Sequence, residues 1–178
     1  MAPGRWVGPS LTRQDKTILV TKTTVAWRKV DEMSSIIAVC TSRKKGTKKQ
    51  AVATVCLKEG YGITGDAHAD AGTHRQVSLL AVESIDKMRK LGLELQPGDF
   101  AENLTCEGIN LCSLPVGTQI SVGKDTLLEV TQIGKECHQR CAIYHQVGQC
   151  IMPQEGIFTR VLKGGVVKAG DTVEVVSQ

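Results

Sequence analysis

Short runs of Val, Ile and Leu, each cut off by Gly, Asp or a charged stretch, limit what this chain can fold into. SSIIAVCTS (34–42), AVATVCL (51–57), QVSLLAV (76–82) and TLLEVTQIG (126–134) are too short for independent helices and read as strands. SLPVGTQISVG (113–123) adds another, joined to 126–134 by a Gly-Lys-Asp turn. VVKAGDTVEVV (166–176) adds a Gly-Asp turn and an alternating strand at Val173 and Val175. Aromatic residues make up only 3% of the sequence, so the core must be aliphatic. In VESIDKMRKLG, Val82, Ile85, Met88 and Leu91 recur every third residue, which predicts one apolar face of a short helix stopped at Gly92. EGIFTRVLKGG (155–165) reads as a second short helix or turn, and Phe100–Leu104 as a strand in which a buried Asn103 would need partners. The expected fold is mainly β, a small barrel-like domain of seven to nine short strands with one or two short helices.

This domain is expected over 34–178. Residues 1–33 carry six basic and three acidic residues, with Gly, Pro and Thr and no sustained period. They read as a poorly ordered extension, with a targeting segment or non-native upstream residues as alternatives. A formal charge of +4 suits a small anionic ligand as well as a nucleic acid and decides neither. No apolar run reaches membrane-spanning length, and seven unevenly spaced cysteines suggest a reducing compartment. The expectation is a soluble, cytoplasmic protein with no membrane or nucleic-acid partner.

The chemistry concentrates in KECHQRCAIYHQVGQCIMP (135–153), which holds Cys137, Cys141 and Cys150 with His138, His145, Lys135 and Arg140. Thiolates and imidazoles bind soft metals or act as nucleophiles, and adjacent cations favour the thiolate. Four readings are open. Cys137, Cys141, His145 and Cys150 could hold zinc, though the spacing departs from a zinc knuckle. Cys141, beside Arg140 and three residues after His138, could be a nucleophile or sulfur carrier. A single cysteine could ligate a metal otherwise held by an organic cofactor. The thiols could also have no role, as expected for Cys40, Cys56, Cys106 and Cys112. Two further stretches are polar and specific. Arg43–Lys49 is a charge run, expected to be a solvated loop tip or a phosphate-attracting loop. GYGITGDAHADAGTHRQ (60–76) places Asp66, His68, Asp70, His74 and Arg75 in a Gly-rich loop, suited to a ligand or to turn geometry.

The order GITGDAHAD, RQVSLLAVESI, GDFAENLT, LEVTQIGKECHQRCAI and GQCIMPQEGIF closely resembles the small stand-alone MOSC domain proteins, relatives of the C-terminal domain of molybdenum cofactor sulfurases. The resemblance runs from about Ser35 to Val176. It implies a barrel-like β fold and a role in handling molybdenum cofactor or its sulfur. Arg140-Cys141-Ala142-Ile143 is similar, with one residue inserted, to the stretch that supplies the metal-ligating cysteine of mitochondrial amidoxime-reducing enzymes. The resemblance therefore implies Cys141 as molybdenum ligand or persulfide carrier. Phe100–Leu104 resembles a segment beside the cofactor in those enzymes, which implies Asn103 as a cofactor-binding residue. Arg75, Lys135 and Arg140 are the implied partners of the pterin phosphate, with Arg160 a further candidate. The implied partners are cofactor-biosynthesis proteins, apo-molybdoenzymes or a redox donor protein. Reduction of N-hydroxylated compounds and non-catalytic carriage of the cofactor both remain open, because the chain has no counterpart of those relatives' additional domains.

Overall fold

Pairing of the short aliphatic runs generates two sheets in the computed structural model, which describes residues 34–135, 144–145 and 148–177. In chain order the elements are β1 (Ser35–Thr41), β2 (Gln50–Val52), β3 (Thr54–Lys58), β4 (Gly62–Ile63), β5 (Val77–Ala81), α1 (Val82–Arg89), β6 (Leu104–Glu107), β7 (Gln119–Val122), β8 (Thr126–Ile133), α2 (Met152–Glu155), β9 (Ile157–Lys163), β10 (Gly165–Lys168) and β11 (Val173–Ser177). Eight strands form one sheet in the order β11-β7-β8-β9-β5-β6-β1-β2, and β10-β3-β4 form a second. Among the described strands only β5 and β6 pair in parallel, because α1 and the loop after it carry the chain back to the same end of the sheet.

The expected β-rich, barrel-like class is the one observed, although the ladders do not close into a complete barrel. Three backbone hydrogen bonds of 2.8 Å, Ile36 N to Asp171 O, Gly170 N to Ile36 O and Val173 N to Ser34 O, bring β1 against the turn before β11. Leu79, Leu104, Ile120, Leu128 and Val130 are fully buried in the main aliphatic core. All five residues of β5 are buried because it has two covered faces. Leu79 packs into the main core, while Leu80 meets Ile85, Met88, Phe100 and Met152 beneath the helices.

Three stretches differ from the sequence expectation. AVATVCL is two strands, because Ala53 bends the chain from the exposed edge strand β2 into β3 of the second sheet. There Val55 and Leu57 turn inward. Residues 157–163 form strand β9 rather than a helix. It lies between β8 and β5 with Ile157, Thr159 and Val161 buried, a position that β-branched side chains fit. Strand β6 starts only at Leu104, so Asn103 lies just before it. The preceding loop contains Gly98 at φ 92° and Ala101 at φ 64°, outside the range a strand allows. Helix α1 ends before Leu91, which is 49% exposed instead of joining the apolar face, and Val175 at 39% sits on the edge strand β11.

Gly98 ties this loop to the start of β2: Lys49 N donates to Gly98 O at 2.8 Å, and Gly98 N donates to Glu102 Oε1 at 2.6 Å. A side chain at Gly98 would run into the Lys49 carbonyl and approach the Cys40 sulfur, and its φ already disfavours any other residue. Gly98→Ala is therefore expected to lower unfolding free energy by about 2–4 kcal/mol in chemical denaturation, well above a helix-surface Gly/Ala change.

Candidate functional site

The loop after β4 is organised by one buried carboxylate. Asp66 accepts from Lys49 Nζ at 2.7 Å and 2.6 Å, one contact to each oxygen. It also accepts from Ser42 N at 3.0 Å, His68 N at 2.9 Å and Asn103 Nδ2 at 3.3 Å. The Lys49 and Asp66 side chains are 1% and 2% exposed. Burial alone would raise the Asp66 carboxyl, but the Lys49 ammonium and the backbone N–H groups of Ser42 and His68 override it and hold the group well below the usual carboxylate range. Burial pulls the Lys49 ammonium below the ordinary lysine range, against the opposing pull of Asp66.

Asn103 joins the same network. Its Oδ1 accepts from Ser78 N at 3.2 Å and Ser78 Oγ at 3.1 Å. Its Nδ2 donates to Cys40 O at 3.1 Å, and its backbone N donates to Ser78 O at 2.9 Å. The amide that a buried site would demand is thus satisfied by β1, β5 and Asp66.

A cavity of about 270 Å³ opens beside this network. Lys45, His68, Arg75 and Lys135 give it cationic or imidazole character, against the carboxylate of Asp70. Ser78, Ala101 and Asn103 contribute polar lining, and Met152 and Phe158 apolar lining. Phe158 gathers two of the cations: Arg75 lies 5.5 Å and Lys135 6.0 Å from its ring centre. Arg75 Nε donates to Gln132 Oε1 at 2.7 Å, and neither cation has a carboxylate partner among the described residues. A second groove of about 470 Å³ along Arg43, Lys44 and Lys48 has no thiol, imidazole or carboxylate in its lining, so the versatile chemistry lies in the smaller cavity.

Arg75, Asn103 and Lys135 therefore share one cavity with His68 and Asp70. Cys141 and Arg140 lie outside the described residues, as do Cys137 and His138. His74 does not line the cavity and engages through its carbonyl, which accepts from Thr131 Oγ1. Arg160 faces outward and pairs with Glu129 at 2.9 Å. Cys40 and Cys106 are buried, and their thiols are pushed up to about 12, chiefly by burial, which makes them poor nucleophiles. Among the described residues no three His, Cys, Asp or Glu side chains are grouped to hold a metal.

Lys49, Ser78 and Phe158 are absent from the sequence-level candidates. The solvated-tip reading holds for Arg43, Lys44, Lys45 and Lys48 but not for Lys49, which is 4% exposed. The usable signal was its place at the junction of the charge run with a strand. Phe158 is one of two phenylalanines in the sequence, which does not separate a platform for cations from ordinary core packing.

The family model described as "MOSC domain" matches residues 66–174, a span that opens at Asp66, and the chain belongs to that family. Among solved structures, the YuaD protein from Bacillus subtilis is similar, with a TM-score of 0.66 and 20% identity over 82% of this chain and 97% of that one. YiiM from Geobacillus stearothermophilus gives 0.60 and 19% over 81% of this chain and 75% of that one. YiiM from Escherichia coli gives 0.56 and 20% over 81% and 70%. At these identities the likeness concerns the fold. No curated protein sequence matched.

Asp66→Asn would leave the Lys49 ammonium buried without its counter-charge, and is expected to cost about 3–5 kcal/mol in urea denaturation at pH 7. Because the folded-state Asp66 carboxyl lies below its unfolded value, its stabilisation is complete above about pH 4 and declines as pH falls through that value towards the folded one. Wild type should therefore lose stability on acidification more steeply than Asp66→Asn. Parallel acid limbs for the two proteins would contradict the assignment.

Proposed function

We propose that this MOSC protein binds molybdenum cofactor, with the cavity receiving the anionic pterin phosphate and Cys141 serving as metal ligand or sulfur carrier. The observation that carries this reading is the pair Arg75 and Lys135, both over Phe158 and both without a carboxylate partner among the described residues. Two such cations repel each other unless an anion lies between them, and phosphate is well matched to a guanidinium and an ammonium. Lys45 and the His68 imidazole add to that preference, while Met152 and Phe158 offer apolar surface to a ring system. The cavity's donors thus fit the phosphate end of the cofactor. The soft sulfur ligand a molybdenum centre needs would come from Cys141, six residues beyond Lys135 in sequence. Asn103, already fully engaged by protein partners, supports the cavity lining.

When bound, the cofactor would supply a redox-active metal. The enzymatic form of the reading is reduction of N-hydroxylated bases or amidoximes, with electrons from a separate donor protein. The carrier form hands the cofactor to apo-molybdoenzymes or takes it from biosynthesis proteins. In both, the chain's own residues bind and orient the anion and keep one sulfur available.

Full-length protein purified from a host that makes the cofactor should contain molybdenum and pterin in comparable amounts. Arg75→Ala and Lys135→Ala should each weaken pterin retention by about tenfold, the scale of one charge-assisted contact. Cys141→Ser should lose molybdenum or its terminal sulfur while retaining pterin phosphate contacts. Zinc near one equivalent without pterin would replace this reading with a zinc-stabilised binding module. A reductase assay with a donor system separates the enzyme from the carrier.

A further inference from the structure

His68 lines the cavity with its side chain 37% exposed, and its Nδ1 is turned towards the buried pair. That nitrogen is 3.3 Å from Lys49 Nζ and 3.3 Å from Asp66 Oδ1, so its bonding depends on which tautomer the ring adopts. Counting donors and acceptors decides between them. The Asp66 carboxylate already accepts five contacts, two from Lys49 and one each from Ser42 N, His68 N and Asn103 Nδ2. Oδ1, the oxygen 3.3 Å from Nδ1, already takes Lys49 Nζ and His68 N, one for each of its two lone pairs, which leaves none for an Nδ1–H. The ammonium carries three protons and directs two at the carboxylate. Its third has no other acceptor among the described residues than Nδ1. A buried ammonium proton left unpaired is costly, so Nδ1 accepts it and the ring proton resides on Nε2. Nε2 has no partner among the described residues.

We infer that His68 is a ligand-contacting residue of the cavity, presenting Nε2–H to an oxyanion, and that buried Lys49 is the positioning residue that fixes this tautomer. The inference rests on the reading that the cavity takes an anionic ligand, and it adds a third donor to Arg75 and Lys135. The ligand class is a phosphate monoester or free inorganic phosphate, since the donor sees only the anionic oxygen. The charged groups facing the ring are Asp66 and Lys49 on its buried side and Lys45, Asp70, Arg75 and Lys135 around the cavity. The imidazole contributes a hydrogen bond and transfers no proton.

Long-range nitrogen NMR of the imidazoles in the labelled full-length chain tests this, with inorganic phosphate as the probe. Wild-type His68 is expected in the Nε2–H form, with the Nε2 resonance moving as phosphate saturates. Lys49→Met is expected to release the ring to a mixed or Nδ1–H form. Should that variant fail to fold, the wild-type tautomer still stands as the test. His68→Leu should weaken phosphate binding about tenfold, whereas His68→Gln, whose amide nitrogen can occupy the Nε2 position, should restore most of it. An Nδ1–H tautomer in wild type overturns the inference. So does phosphate that shifts the Arg75 and Lys135 signals to saturation without touching the His68 ring, although the cavity reading then survives. Phosphate that shifts none of these signals overturns the cavity reading and this inference together.

Discussion

The ion pair between Lys49 and Asp66 is the constraint on which the site depends. Two charges at 1% and 2% exposure are costly to bury unless each is fully bonded. The fold meets that requirement by bringing four donor residues to one carboxylate: Ser42 just after β1, Lys49 just before β2, His68 in the loop and Asn103 just before β6. Residues 42–49, 66–68 and 103 are thereby tied together, so the pair acts as a clasp. Without it the Gly-rich loop would keep the 2.8 Å bond from Ala67 N to Ser42 O beside the end of β1 but lose the carboxylate that anchors its cavity-lining residues.

The clasp also explains an unusual backbone. Gly98 and Ala101 both adopt positive φ in the loop that leads to Asn103. A non-glycine residue in that region costs of order 1 kcal/mol, and the surrounding bonds make up for it. Lys49 N on Gly98 O and Ser78 Oγ on Ala101 O pin the loop from both sides. Glu102, fully buried one residue before Asn103, is pushed upward by burial and keeps one oxygen on Gly98 N and Thr105 Oγ1. Strain, buried charge and cavity therefore fall in one place. Elsewhere the described residues form an ordinary aliphatic β core.

Much of the fold is legible in the sequence because short aliphatic runs end in turn residues, and Thr126–Ile133 also alternates buried and partly exposed positions. Ser35–Thr41, Val77–Ala81 and Thr126–Ile133 each appear as strands where short β-branched runs meet turn residues. Residues 157–163 were misread because Gly164 and Gly165 resemble a helix stop. Here Gly164 instead lets the chain pass close to the Leu57 carbonyl on its way into β10, and Gly165 packs against Thr126. The break at Ala53 was hidden because both halves of AVATVCL are good strands. What separates them is which sheet each joins, a long-range choice that local pattern does not encode. In the site, Arg75, Asn103 and Lys135 come to one cavity from three loops, before β5, before β6 and after β8. A lysine at the end of a charge run has the same local signature whether solvated or buried, and for Lys49 only its meeting with Asp66 tells the two apart.

Native-state hydrogen exchange at the Ser42 and His68 amides tests the clasp most directly, since each donates to Asp66 from outside any regular strand. With the clasp closed, both amides should exchange only through large-scale unfolding, with protection close to that of core strand β5. Exchange at the rate of an open surface loop, while β5 stays protected, would show that Asp66 does not hold the site together.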